Sequence, residues 1–577
     1  MFDEIVNQGV AAIQRDLRVT VVVGLLSVFV LTRIITSIRS NVALQLSGHG
    51  KTPPMMPYAI PGVGNMLAFA FNTKSLLGTI IHQFGPNVPV RLRVLNMKLH
   101  FISGSESVLA MFRGSRDLTT VPSMILVIEN AFGSPKRTRH VFERDNTGVF
   151  TQPLEGTNAL EPHNRILSLT HKTLHLHLSG TSLNELATRF MSCLETELLA
   201  LDIGHEEWTT IPDFYSLIKQ TIFKASTTAM CGPALFSLNP GFTDDFWEFD
   251  THIAKLFKNL PRWMIPKSFQ VRDKLKASIK KWHEYAEEKF DKDDESLQNE
   301  EWEEMYGARL MRQRHEDFTG VDDFTDDAYA ASDLGMIWGA NANIVPIIGW
   351  SMIDTLVRPE LLAQAREVVS TLSPSAKGAE GLDMPKLLAN PLLQSIYSEE
   401  LRLRNGVIIQ RVPVVDDFKI GDWKFPKGDM IIASSWHEQR DKSVWNEGPV
   451  NGEFHDVEDF WAERFIVYPN DQSTGPAKPG RDTKSKPKLA VKDSDNVPKF
   501  TIDSVTGSYI PYGGGQKICP GRFYAKQEAI GAMSLFLTMF DIELEKNDLP
   551  QPNMEYFPFG VVPPLGTFPA RMRRRKV

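Results

Sequence analysis

The sequence predicts a mainly α-helical fold with a small β-rich lobe, preceded by one N-terminal transmembrane helix. Three observations predict it. Residues 19–38, V-T-V-V-V-G-L-L-S-V-F-V-L-T-R-I-I-T-S-I, supply the roughly 20 predominantly apolar residues that a bilayer core requires. From about residue 75 onward the apolar residues recur mostly with helical spacing. Between Val88 and Ile102 the pattern changes, and R-L-R-V-L-N-M-K-L-H-F-I alternates apolar and polar residues as strands do.

The chain has 577 residues, and a hydrophobic fraction of 42% with 34 Phe and 11 Trp is enough for one large core. A net charge of −7 gives no reason to expect nucleic acid as a partner. The three cysteines, Cys193, Cys231 and Cys519, are too few for a disulfide framework and suit a reducing compartment.

The expected organisation is an N-terminal segment (1–18), the anchor (19–38), a linker with a proline-rich hinge (39–66) and one large domain (67–577). Arg33 stands near one end of the apolar stretch, where a long cationic side chain reaches water. A cleaved signal peptide and a buried core helix are the competing readings. The residues after the stretch, S-N-V-A-L-Q-L-S, make a poor cleavage context, and the N-terminal position disfavours a core helix. Arg15 and Arg18 oppose Arg33, Arg39 and Lys51, so charge does not orient the span. Pro53, Pro54, Pro57 and Pro61 then exclude helix and favour stiff, extended chain.

Residues 163–177 contain T-H-K-T-L-H-L-H, in which His171 and His175 have the i,i+4 spacing of half a metal site; no acid and no third ligand complete it. Residues 276–317 are heavily charged and read as a solvated helical pair. Thr325, Asp326 and Asp327 can cap a long helix carrying D-L-G-M-I-W-G-A-N-A-N-I-V-P-I-I-G-W. Pro346 lacks an N–H and must distort that helix locally.

In Y-S-E-E-L-R-L-R, Glu399 and Arg402 lie three residues apart on one helix face; alone, such a pair is usually a solvated surface feature. Residues 410–431, with turn signals at Gly421 and Pro426-Lys427-Gly428, read as short strands. F-W-A-E-R-F spans Phe460 to Phe465. Residues 469–500, rich in Pro, Lys, Asp, Ser and Gly, read as an exposed insertion.

The run P-Y-G-G-G-Q-K-I-C-P-G-R, Pro511 to Arg522, carries the most chemistry. Its cysteine follows three glycines and a cation and precedes a helical stretch, a setting that favours a negative sulfur. Glycines 513 to 515 let the backbone approach something flat and large, and Lys517 can meet an anionic edge of it. A lone cysteine is ordinarily a buried structural thiol, but a thiolate axial ligand to haem iron uses every one of these features.

This run resembles the haem-binding loop of the cytochrome P-450 superfamily, F-x-x-G-x-R-x-C-x-G. Tyr512 stands for the Phe, Gly515 for the first Gly, Lys517 for the Arg and Gly521 for the last Gly, with Cys519 as the ligand. The E-x-x-R of Glu399 and Arg402, about 120 residues upstream, and F-W-A-E-R-F, with Ala462 where the family has Pro, extend the resemblance. It implies a helical prism with a small β-rich lobe and haem b as cofactor. It also implies a structural Glu399–Arg402–Arg464 cluster and a propionate-binding role for Arg411, whose alternative is an ordinary strand-edge cation. Lys172, His171 or Arg165 would then contact a propionate from the helix crossing one haem edge.

On the distal helix, Gly339 and Ala340 fit the family's small residues, while Ala342 takes the place of the usual acid and Asn343 that of the alcohol. W-G-A-N-A-N-I-V-P resembles the pattern of sterol 7α-hydroxylases and prostacyclin synthase. Asn343 can donate to a bound oxygen or hold a water but does not titrate; alternatively it repairs the helix break at Pro346. The style of the chain resembles fungal secondary-metabolism members. The implied function is a membrane-anchored monooxygenase of the endoplasmic reticulum, single-pass with its catalytic domain in the cytosol. It would use NADPH electrons through a flavin reductase docked near Lys517, Arg522 and Lys526, acting on a hydrophobic, sterol- or terpenoid-like substrate. The rivals are an isomerase or dehydratase that rearranges a peroxide without reductase, and a non-catalytic haem sensor or carrier.

Overall fold

The computed structural model describes residues 2–45, 51–291, 293–450, 452–481, 497–546 and 549–576. The chain forms two compact units, Met1–Thr120 with Ile408–His437, and Val121–Val407 with Glu438–Val577. In chain order, the helices that matter for the site are α1 Phe2–Gln45, α2 Thr73–Phe84, α3 Ile166–His177, α4 Gly180–Leu199, α5 Phe214–Cys231, α6 Phe242–Phe257, α7 Pro266–Lys289, α8 Arg309–Thr319, α9 Asp326–Asn341, α10 Ile344–Leu356, α11 Pro391–Arg404 and α12 Arg522–Met539.

In the first unit, α1 is one continuous helix whose stretch Arg18–Gln45 has a mean hydropathy of 2.3 and is only 6% buried, long and apolar enough to cross a membrane. The proline hinge is tied to it. The Arg33 guanidinium donates to the Pro57 carbonyl at 2.5 Å, and the Thr36 hydroxyl and the Tyr58 backbone exchange bonds of 3.0 and 3.2 Å. Prolines without N–H groups leave carbonyls to satisfy, and α1 supplies donors for two of them.

The alternating stretch forms the hairpin β1 Val90–Val94 and β2 Met97–Phe101. The sheet continues with β3 Leu118–Thr119, β4 Ile408–Pro413 and β5 Met430–Ser434, in the order β1-β2-β5-β4-β3. β5 runs parallel to β2 and antiparallel to β4. One face of the sheet packs Leu92, Leu99, Phe101 and Ile432 against Leu77 and Ile80 of α2, which is why period-two alternation was readable there.

The second unit is built around α12, whose residues from Glu528 to Met539 are all buried. A helix apolar all round is a core helix, and α12 packs on α4, α10 and α11. A three-stranded antiparallel sheet of Phe540–Leu544, Ala570–Arg574 and Thr209–Ile211 closes its C-terminal end.

The reading of 276–317 as a solvated helical pair is corrected. A hairpin, Trp302–Glu303 with Gly307–Ala308, separates α7 from α8. Arg312, Arg314 and His315 of α8 and His283 of α7 are buried. Two of them, Arg314 and His283, meet on Asp333, which lies on α9 with no exposed surface. It accepts from Arg314 at 2.7 and 3.1 Å, and its other oxygen bonds His283 Nε2 at 3.0 Å. Burial alone would raise the Asp333 carboxyl, but Arg314 and His283 hold it below its ordinary value.

The expected cap of α9 is also modified. Thr325 has the extended backbone of a cap, but its hydroxyl makes no cap bond; Asp326 and Asp327 supply the charge that suits the first turn. Of the 469–500 stretch, residues 482–496 lie outside the described residues. Its described ends come back together, with Ile466–Val467 paired antiparallel to Lys499–Phe500.

Removing the shared carboxylate leaves Arg314 buried without its counter-charge. Asp333→Ala should therefore cost about 3–5 kcal/mol in urea unfolding; a loss below about 1 kcal/mol, the value of a solvated pair, would contradict the buried cluster.

Candidate functional site

The Cys519 loop takes its shape from its glycines. Gly513 and Gly515 have φ of +69° and +67°, and a Cβ at Gly513 would still meet nothing within 4 Å. The Cys519 N–H donates to the Tyr512 carbonyl at 3.1 Å, closing the loop just before α12. Cys519 is exposed. Desolvation by its surroundings raises the thiol above its ordinary value, against backbone N–H bonds from Gly521 and Arg522 and the Arg522 charge, which lower it. Ile518 and Phe523, on either side of the sulfur in sequence, are large apolar residues left exposed at 38% and 47%.

Behind the loop stands α11. Its Tyr397 hydroxyl is hydrogen-bonded to that of Tyr512, and the Asn405 side chain just past its end donates to the Pro511 carbonyl at 3.1 Å. The same helix carries Glu399 and Arg402, which meet Arg464 with none of the three exposed. Arg402 forks onto both oxygens of Glu399 at 2.7 and 2.8 Å, and Arg464 Nε adds 2.9 Å. The remaining bonds go to backbone: Arg402 bonds the carbonyls of Gln439 and Val457, and Arg464 those of Asn446, Asp456 and Asp459. Burial would push the Glu399 carboxyl up, but the two guanidiniums outweigh it and bring it down to about 2.

Lys517 lies close enough to His171 of α3 for its charge, after burial, to lower the imidazole's pKa. Lys517 and His171, whose imidazole this favours as neutral, share an edge. Arg165, the other expected propionate contact, is instead committed to the protein: it donates to Thr147 Oγ1 at 2.9 Å, to the Phe150 carbonyl at 2.6 Å and to the Thr151 carbonyl. Lys172 is exposed. Among the described residues no three His, Cys, Asp or Glu side chains converge as a metal site. Arg411 belongs to the first unit, on β4, where it donates to the Gln410 carbonyl at 2.8 Å and burial lowers it to about 10.

The distal helix is broken where Pro346 requires. α9 ends at Asn341, α10 begins at Ile344, and Ala342 and Asn343 form the break. Gly339 is exposed, with no atom within 4 Å of a Cβ built there, on a helix otherwise mostly buried. Ala342 is buried. Asn343 Oδ1 accepts the Val561 N–H at 2.9 Å, so the break is tied to the C-terminal segment and the side chain's amide N–H groups remain as donors.

Residues 213–455 match the family model for cytochrome P450. Cytochrome P450 monooxygenase efuG of Hormonema carpetanum is 33% identical over 95% of both chains. Cytochrome P450 monooxygenase fsoE of Humicola fuscoatra is 34% identical over 94% of this chain and 91% of its own. The chain belongs to the cytochrome P450 family. Cholesterol 7-alpha-monooxygenase of Cricetulus griseus is a more distant relative of this P450, 24% identical over 67% of this chain and 71% of its own.

The family carries a haem held through a cysteine thiolate, and the residues of this P450 fit that group. An exposed sulfur bonded by two N–H groups, a glycine backbone with room beside it and exposed Ile518 and Phe523 make a cradle for a flat apolar body.

Sequence reasoning missed Tyr397, the Val561–Asn343 bond and a buried Asp250 that joins Trp338 to Tyr556. It also missed Glu528 of α12, which accepts from Ser226 at 2.7 Å and which burial pushes up to about 8 against the Ser226 and Tyr524 hydroxyls. Only Tyr397, two residues before Glu399, had a sequence signal.

The two buried carboxyls predict opposite pH dependence. Glu399, depressed to about 2 from an ordinary 4.5, contributes stability that is full above about pH 4.5 and lost as pH falls through 2. Glu528, raised to about 8, favours the fold below about pH 4.5 and loses that contribution as pH rises through 8. In denaturant melts, Glu399→Gln should flatten the acid limb and Glu528→Gln the alkaline one. Unchanged limbs would contradict these environments.

Proposed function

We propose that this P450 is a membrane-anchored haem-thiolate monooxygenase acting on a hydrophobic, sterol- or terpenoid-like substrate. The observation that carries the reading is the exposed Cys519 sulfur at the start of α12, bonded by the Gly521 and Arg522 N–H groups and flanked by exposed apolar side chains. When bound, the haem supplies activation of dioxygen and insertion of one oxygen atom, with two electrons delivered from NADPH through a flavin reductase.

The chain's own residues hold, orient and exclude. Cys519 would hold the haem iron through its sulfur. Tyr512 is the aromatic wall of the loop, kept in place by Tyr397. Lys517, with His171 near it, would meet the haem carboxylates. Glu399, Arg402 and Arg464 keep the helix and loop behind the sulfur in register and touch no reacting atom. On the distal helix, Gly339 leaves room, Ala342 has no titratable proton to give, and Asn343 presents amide donors that would orient a water or an oxygen. The reductase docks on the Cys519 side, where Arg522 and Lys526 occupy the first turns of α12.

The proposed organisation is an N-terminal segment (1–18), an anchor at 19–38 within α1, a hinged linker (39–66) and a catalytic domain (67–577) that faces the cytosol from the endoplasmic reticulum. The apolar, unburied α1 and the hinge bonded to it support this reading. A sterol-like substrate is supported by the relatedness to a cholesterol 7-alpha-monooxygenase.

The test is turnover of the haem-loaded protein on sterols and terpenoids, with reductase and NADPH, and in parallel on their peroxides without reductase. Product that requires NADPH is expected. Product from a peroxide alone would make the protein an isomerase and overturn the reading.

A further inference from the structure

The aromatic roof beside the distal helix contains one buried carboxylate. Asp250 of α6 is 5% exposed, and each of its oxygens has one partner from a different element. Trp338 Nε1 of α9 donates to Oδ1 at 2.9 Å, and the Tyr556 hydroxyl of the C-terminal segment donates to Oδ2 at 2.9 Å. The surroundings are apolar. Phe132 lies 5.9 Å from the Trp338 ring, Phe257 lies 5.7 Å from it, and Phe559 stacks on Phe257 at 5.0 Å. Burial raises the Asp250 carboxyl to about 6, against the two hydrogen bonds and the Lys219 charge, so near neutral pH it is ionised and accepts from both.

This arrangement fixes the sense of the polar groups. A phenol has one proton, and that of Tyr556 is given to Asp250; its oxygen is then left as an acceptor. Among the described residues nothing donates to that oxygen, and the side chain is half-buried. Trp338 directly precedes Gly339, where the helix faces open space. At the Tyr556 oxygen a substrate's hydroxyl is distinguished from its ketone, because only the hydroxyl can donate to it. A ketone would leave two acceptors facing each other without a proton.

We propose that Asp250 is a specificity-determining residue that makes Tyr556 a hydrogen-bond acceptor and so selects an apolar cyclic substrate already bearing a hydroxyl group. The inference rests on the monooxygenase reading of the site and adds the substrate's functional group. It also places the enzyme after a step that installs or unmasks that hydroxyl, such as a hydroxylation or a carbonyl reduction.

The experiment is spectral titration of the full-length holoprotein with two matched pairs, a sterol alcohol and its ketone and a cyclic terpenoid alcohol and its ketone. The haem absorption shift reports binding, and the ferrous carbon monoxide spectrum checks that the thiolate is intact. At least one alcohol should bind about tenfold more tightly than its ketone, the worth of one well-made hydrogen bond. Tyr556→Phe should erase that ratio. Asp250→Asn should also shrink or invert it, because its amide cannot accept on both sides and the freed phenol proton can serve a ketone. Equal affinities of alcohol and ketone in the native protein, or a ratio unmoved in Tyr556→Phe, would overturn this inference alone. No shift with either pair would overturn the substrate class of the monooxygenase reading along with it.

Discussion

Glu399 sits with no exposed surface among two guanidiniums that are equally buried, and the side of the molecule that carries Cys519 depends on that arrangement. One carboxylate cannot neutralise two guanidiniums. The excess charge is tolerable because the outward N–H groups are spent on carbonyls at Gln439, Asn446, Asp456, Val457 and Asp459. Those carbonyls belong to irregular chain, which has no ladder of its own to satisfy them. The cluster therefore does for residues 439–464 what a sheet or helix would otherwise do. It also fixes α11, whose Tyr397 and following Asn405 hold Tyr512 and Pro511 at the base of the cysteine loop.

The distal side follows a different logic. A proline at position 346 breaks the helix, and the break is covered from outside by the C-terminal segment: Val561 on Asn343, Phe559 on Phe257 and Tyr556 on Asp250. Gly560 is needed there, since a Cβ would lie 2.7 Å from Asn343 Oδ1. Asn343 Oδ1 ties the break to the C-terminal segment, and its amide N–H groups are left as donors. The proximal side is held by charge and the distal side by aromatic contact with two polar ties, so the first is rigid by electrostatics and the second is shaped by volume.

What could be read from the sequence was what lies close together along it. The glycines and cation of the Cys519 loop, the three-residue step from Glu399 to Arg402 and the alternation in β1 and β2 are local, and each has a physical reason at that spacing. Pro346 marked the helix break for the same reason. Asp250 meets partners 88 and 306 residues away, and no periodicity reports such a meeting. The charged stretch at 276–317 misled because a row of charges looks solvated until its counter-charge, Asp333 on α9, is placed. Arg165 misled in the opposite way: a cation at the expected helix was already satisfied by Thr147 and the 150–151 carbonyls.

The account stands on Cys519 as the ligand to haem iron, and its most direct test is the ferrous carbon monoxide difference spectrum of the purified holoprotein beside Cys519→Ser. The native protein should show the red-shifted band of thiolate ligation, and the variant should lose it while still retaining haem. The same band in both proteins would contradict the assignment, because neither of the other cysteines, Cys193 and Cys231, lies in such a loop.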